Sequence, residues 1–184
     1  MAELLPEAAW IRDDTLRSTV LRIWEQAWRT SGWDTVTACP KGPDLPGHSL
    51  VEHSRSVARL AHSMAEILAQ RDTVVVDSDA VLTIALLHDV SKLHEFQPIP
   101  GGAARSVVGH RYQHGFLAAF WMHEAGLPID LVHAVIAHTD LSTVLPQTQE
   151  ALIVHYADFA DSDSVLLHEG QPLFCKNTGR TTLR

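Results

Sequence analysis

Residues 78–96, "SDAVLTIALLHDVSKLHEF", form a helical run with almost no polar face over its first ten positions. A helix that is apolar all round has no stable place except the interior, so the rest of the chain must be arranged around this segment. Ser78 or Asp79 supplies the N-cap that starts it. Near its end the run carries His88 and Asp89, two groups that are costly to bury unless something pairs with them. The fold therefore has to bring compensating groups to one buried point.

The flanking sequence offers further helices. Leu16, Val20, Ile23, Trp24 and Ala27 recur at three- and four-residue steps over 14–30, behind an Asp13 or Asp14 cap. A Gly- and Pro-rich stretch over 32–49 reads as an irregular loop. It delivers the chain to a helix over roughly 49–70, with Val57, Leu60, Ala61, Met64, Ile67 and Leu68 as its apolar stripe and His53 on the same face. Two more helical stretches, "GHRYQHGFLAAFWMHEAG" and "IDLVHAVIAH", follow the "PIPGG" breaker and are separated by "GLP". The next helix, "TQEALIVHYADFADSD", starts after Pro146, and the tail over 166–184 turns polar and loses its period. About six helices with short connections predict an all-α bundle, read as one domain over 1–184, with short β excursions admitted near "DTVTA" and "TVVV".

Composition narrows the function classes. A formal charge of −8 argues against a broad basic surface for polymeric nucleic acid. No apolar stretch approaches the length needed to cross a bilayer, which argues against a membrane protein. The acidic amino terminus, interrupted by Pro6, lacks the pattern of a secretory signal, so a cytoplasmic location is expected. Cys39 and Cys175 stand alone and suggest neither a disulfide framework nor a thiolate metal site. The unusual feature is twelve histidines, most of them between His48 and His155.

His53, His88, Asp89, His114, His138 and Asp158 come from five separate helical segments, each on or next to an apolar stripe. Neutral imidazoles and carboxylates presented from rigid elements are what a divalent metal ion requires. The order His53, His88-Asp89, Asp158, carried by "HSRSVARLAHSMA", "ALLHDVSK" and "HYADFADSD" over roughly 48–165, resembles the HD-domain superfamily of metal-dependent phosphohydrolases, which are all-α. His114 and His138 occupy the interval where the two-metal members carry extra histidines.

That resemblance implies one or two divalent ions, with Fe, Mn, Co, Ni or Mg as candidates. In it Asp89 bridges, His53, His88 and Asp158 hold one ion, and His114 and His138 hold the other. It also implies hydrolysis of a small phosphoester such as a nucleotide by a metal-activated hydroxide. A diiron oxygenase acting on a small polyol or phosphonate is a second reading of the same ligands, and a non-catalytic metal-stapled sensor or interaction module a third. His110, one turn before His114, is the substitute ligand or substrate contact if either histidine instead orients water or substrate.

Lys92 follows Asp89 by three residues and on a continuing helix faces the same side; in the family pattern it resembles a contact to the substrate anion or transition state. Catalytic roles are thus expected at Asp89 and Lys92, and substrate contacts at Lys92, Glu95 and His110. Glu95 and Ser56 are placed to line the pocket mouth, Arg55 should point away, and Arg105 and Arg111 are within reach of an anionic group. Asp161 and Asp163 read as capping and solvated charge. His48, His62, His94, His123, His133, His155 and His168 read as surface, loop or supporting residues, and Trp24, Trp28 and Trp121 as core. Trp10 and Trp33 cover the bundle, and an exposed tryptophan near the amino terminus permits a homodimer.

Overall fold

The computed structural model describes residues 1–177, and 178–184, the end of the predicted tail, lie outside the described residues. Its centre is α3 (Ser78–Leu87), where every residue from Asp79 to Leu87 is buried. Around it pack α1 (Asp14–Arg29), α2 (Leu50–Leu68), α7 (Ile129–Ala137) and α8 (Gln149–His168). Burying side chains such as Leu82, Ile84, Leu86 and Leu87 contributes about 1.5–3 kcal/mol each.

Caps fix the helix starts. Asp13 accepts from the backbone N–H groups of Thr15 and Leu16, Ser49 from Val51, and Thr148 from Ala151. The cap of α3 is Asp77, one residue before the expected position, accepting from Asp79 and Ala80. Asp79 is thereby released to accept from the backbone N–H groups of Arg12 and Asp13 at 3.1 and 2.9 Å, tying the start of α1 to α3. The indole N–H of Trp24 donates to the carbonyl of Leu86 at 2.6 Å in the interior.

Three expectations change. The buried face of α2 runs through Ser54, Val57, Ala58, Ala61 and Ala65, leaving Leu60 and Ile67 40% and 63% exposed. Small side chains let α2 approach α3 and α8 closely, and that contact outweighs the larger residues on its flank. The run over 78–96 does not continue as one helix: it stops at His88, turns through 91, and resumes as the short α4 (Lys92–Glu95). Strands are absent from "DTVTA", which holds a 3-10 turn at Val36–Ala38, and from "TVVV". Among the described residues the paired strands are β1 (Phe96–Ile99) and β2 (Gly102–Arg105), an antiparallel hairpin whose turn uses the "PIPGG" segment, with Gly101 at φ 85°.

The stretch expected as one helix around His114 is also split, into α5 (Val107–Arg111) and α6 (Phe116–Glu124). Gly115 makes the break with φ 83°, and a Cβ there would stand 3.0 Å from the Val135 carbonyl oxygen and 3.5 Å from the His138 ring. Only glycine lets this turn close onto the end of α7. Helix α8 extends to His168, into the tail expected over 166–184, and α9 (Phe174–Asn177) follows, its first two backbone N–H groups bonded to the carboxylate of Asp163. Among the described residues six helices have nine residues or more. Trp24 and Trp33 are buried and Trp28 and Trp121 partly so, whereas Trp10 is 44% exposed and lies against the His62 ring instead of covering the bundle.

Candidate metal centre

Two helices end in the same local device. His88 and His138 are the C-cap residues of α3 and α7, and the Nδ1 of each donates to the carbonyl three residues back, Ala85 at 2.7 Å and Val135 at 2.6 Å. Such carbonyls lose their helical partner at a helix end, so the imidazole satisfies one. A carbonyl can only accept, so Nδ1 carries the proton and, in the neutral ring, Nε2 is left with its lone pair facing inward.

The other two histidines are oriented by carboxylates. Nδ1 of His53, on α2, donates to Asp161 Oδ2 on α8 at 2.6 Å. Nδ1 of His114, in the turn before α6, donates to Glu95 Oε2 on α4 at 2.8 Å. All four Nε2 atoms then converge on Asp89. Asp89 Oδ2 lies 3.0 Å from His53 Nε2 and 3.4 Å from His88 Nε2, while Asp158 Oδ1 is 3.3 and 3.8 Å from the same nitrogens. The two Nε2 atoms are 3.2 Å apart. On the opposite side, Asp89 Oδ1 lies 3.0 Å from His114 Nε2 and 3.6 Å from His138 Nε2, and those nitrogens are 3.3 Å apart.

These separations test whether a metal fits. Donor atoms about 2.1 Å from a shared ion stand about 3.0 Å apart in an octahedral and about 3.4 Å apart in a tetrahedral arrangement. The observed separations fall in and around that interval. Asp89 Oδ1 is also buried without a hydrogen-bond partner although two imidazole nitrogens face it, the condition of lone pairs gathered around a missing positive charge. Donors from His53, His88 and Asp89, from His88, His138 and Asp158, and from Asp89, His114 and His138 each lie within 4.8 Å of one another and could hold a metal ion.

Without a metal, protons take its place. Burial disfavours a charged His53, but the carboxylates of Asp158, Asp161 and Asp89 outweigh it and raise its pKa to about 10. Burial is likewise overcome at His114, raised to about 9 by Asp89 and Glu95. His138 moves down, through burial and the neighbouring His88 and His114, and Asp89 is held well below the usual carboxylate range against its own burial by Lys92 and the imidazoles. At pH 7.5 metal loading must therefore expel protons from His53 and His114. Calorimetric titration in buffers of differing ionisation enthalpy is expected to report release of about two protons per chain, and affinity should fall as pH falls. Release of none would mean that both imidazoles are already neutral.

The expected substrate-contact residues separate. Lys92 pairs through Nζ with Asp89 Oδ2 at 2.6 Å and lines a cavity of about 300 Å³ in front of the cluster; Arg105 also lines it. Glu95 lies at that cavity's wall, but its carboxylate is engaged by His114 and, at 2.6 Å, by the Ser91 hydroxyl, so it orients His114. His110 and Arg111 are exposed on α5 and outside the cavity wall, because the helix break between α5 and α6 gives His114 the inward position. Arg55 turns to Glu7 at 3.0 Å, and Ser56 lines a separate cavity behind His53.

Two residues of the centre were not anticipated. Asp161 is no solvated charge: it holds His53. Its signal was the three-residue step from Asp158, which puts both on one face of α8. Lys41, from the 32–49 loop, is buried with Nζ 3.1 Å from Ser162 Oγ, and Ser162 in turn donates to Asp158 Oδ1 at 3.1 Å. No periodicity flags a lysine in an irregular loop. His155 supports the centre from outside, its Nδ1 donating to the His138 carbonyl at 2.7 Å.

Comparison with known proteins agrees with this geometry. The HD domain family matches residues 50–162, a span that contains all six converging residues. The dihydroneopterin 2′,3′-cyclic phosphate phosphodiesterase of Methanocaldococcus jannaschii is 31% identical over 171 residues, covering 88% of this chain and 69% of that protein. No solved structure gives a significant match. Among the described residues no helix is long and apolar enough to cross a membrane. With the family match over more than half its length and the His-Asp cluster that such domains use to bind divalent metals, the chain belongs to the HD-domain superfamily of metal-dependent phosphohydrolases.

Proposed function

We propose that this protein hydrolyses a cyclic phosphodiester of a small molecule bearing a flat ring, a 2′,3′-cyclic nucleotide or a pterin analogue, at two divalent ions bridged by Asp89. The observation that carries the reading is the division of Asp89 between two sets of imidazole nitrogens, with Oδ2 facing His53 and His88 and Oδ1 facing His114 and His138. His53, His88 and Asp158 would complete one ion's shell, and His114 and His138 the other's. Such a pair supplies a water-derived nucleophile near neutral pH and Lewis-acid contacts to the phosphoryl oxygens.

The protein's own groups do the rest. Lys92, fixed beside Asp89, offers its ammonium to a non-bridging phosphate oxygen. Its pKa is raised by Asp89 and Asp158 against the effect of burial, so it stays charged throughout the working range. Phe96, Phe159 and Phe174 line the same cavity and offer apolar faces to a planar ring. Ring opening adds one water: one P–O bond forms, one breaks, and the products are a phosphomonoester and a free hydroxyl. The phosphodiesterase activity in the relative's name favours this reaction over oxygen chemistry.

The test supplies 2′,3′-cyclic AMP and dihydroneopterin 2′,3′-cyclic phosphate to protein loaded in turn with Mn, Fe, Co, Ni and Mg. Appearance of the monophosphate, dependent on metal, is expected for at least one pair. Oxygen uptake without phosphate-ester opening would sink the reading.

A further inference from the structure

Lys41 reaches the centre because its loop is pinned at the head of α2: Pro40 forms an antiparallel bridge with Ser49, and the Lys41 N–H donates to the His48 carbonyl at 2.8 Å. Its side chain is 5% exposed, yet Nζ has one close oxygen, Ser162 Oγ at 3.1 Å, with Asp161 Oδ2 farther away at 3.6 Å. An ammonium has three protons to donate, and a buried one is costly while any is unmet. The side chain lines the same cavity as Lys92, Asp89 and Asp158. Lys92 stands beside Asp89, and Lys41 beside Asp161 and the Ser162–Asp158 pair, so the two cations flank different carboxylates of the cluster.

Charge counting says what such a cavity takes. The carboxylates of Asp89, Asp158, Asp161, Glu95 and Asp140 carry five negative charges, and Lys41, Lys92 and Arg105 three positive ones. With neutral imidazoles, two divalent ions bring the sum to two positive charges, which an anion must balance. We propose that Lys41 is a second cationic contact for the substrate phosphate, acting together with Lys92; the assignment rests on the two-metal phosphoesterase reading above.

Lys41→Met separates this role from a structural one, because the two predict different behaviour toward metal. Removing a cation beside the ions leaves metal content per chain at the parental level or higher, whereas loss of a scaffold for Asp158 and Asp161 lowers it. The expected result, on folded metal-loaded protein, is parental metal content by elemental analysis. Calorimetric affinity for inorganic phosphate should weaken about tenfold or more, and KM should rise in parallel. Lys41→Arg should restore most of both.

Should the methionine variant not fold, Lys41→Gln, which keeps a donor for Ser162, is read in the same way. Unchanged phosphate affinity and KM, or metal content falling in step with phosphate binding, would overturn the assignment. A parent protein that binds neither metal nor phosphate would instead overturn the reading beneath it.

Discussion

Asp89→Ala is expected to leave the protein without bound metal and to lower phosphoesterase turnover by about a thousandfold or more. Each oxygen of this carboxylate faces a different pair of imidazole nitrogens, so one substitution removes a donor from both sets. The residue is 1% exposed. Its loss also removes the carboxylate that pairs with the partly buried Lys92 ammonium. Asp89→Asn, of equal volume, controls for packing and should lose metal as well. Elemental analysis alongside a thermal melt decides the matter: full occupancy in the folded alanine variant would mean that Asp89 is no bridge.

A second large effect is expected at a residue that has no polar side chain to offer. A Cβ added at Gly109 would stand 2.2 Å from the backbone oxygen of Glu95, and 3.0 and 3.2 Å from its carbonyl carbon and Cα. Backbone cannot swing aside as a flexible side chain does, so α5 must separate from α4. Gly109→Ala should therefore destabilise the fold by about 3 kcal/mol or more. The displaced residue, Glu95, orients His114, so metal content should fall before the protein melts. Gly47→Ala, where nothing lies within 4 Å, should change neither quantity. If denaturant melts of the two variants coincide, the tight seam between α4 and α5 has been misjudged.

The sequence made the long helices readable because each needs only its own period and cap, as in α1 with its Asp13 cap and α3 with its apolar body. His53, His88, Asp89 and Asp158 were legible for a related reason: each interrupts a buried stripe that a lone polar group could not occupy. What stayed hidden depends on two elements at once. Asp161 looks like surface charge until α2 sets His53 against it, and Glu95 looks like a substrate contact until the turn before α6 brings His114 to its carboxylate. Leu60 and Ile67 misled because a period identifies an apolar face but not how closely a neighbouring helix approaches it. The break at His88 was masked by the continuous hydrophobicity of the run, although it is the break that frees the Ala85 carbonyl to hold the imidazole.

The hydrogen bond from Trp24 to the Leu86 carbonyl bears on what can be transplanted. Leu86 lies two residues before His88, and its carbonyl is among those that the end of α3 leaves open. A residue before position 50 thus closes the helix that presents His88 and Asp89. Asp79 binds residues 12 and 13, and Lys41 reaches the same centre from the intervening loop. The HD family match begins at residue 50, but the free energy that holds His88 and Asp89 in register is shared with the first 49 residues. Chimaeras between relatives should exchange both portions together, since a junction at the edge of the family match would pair one protein's His-Asp cluster with another's supports.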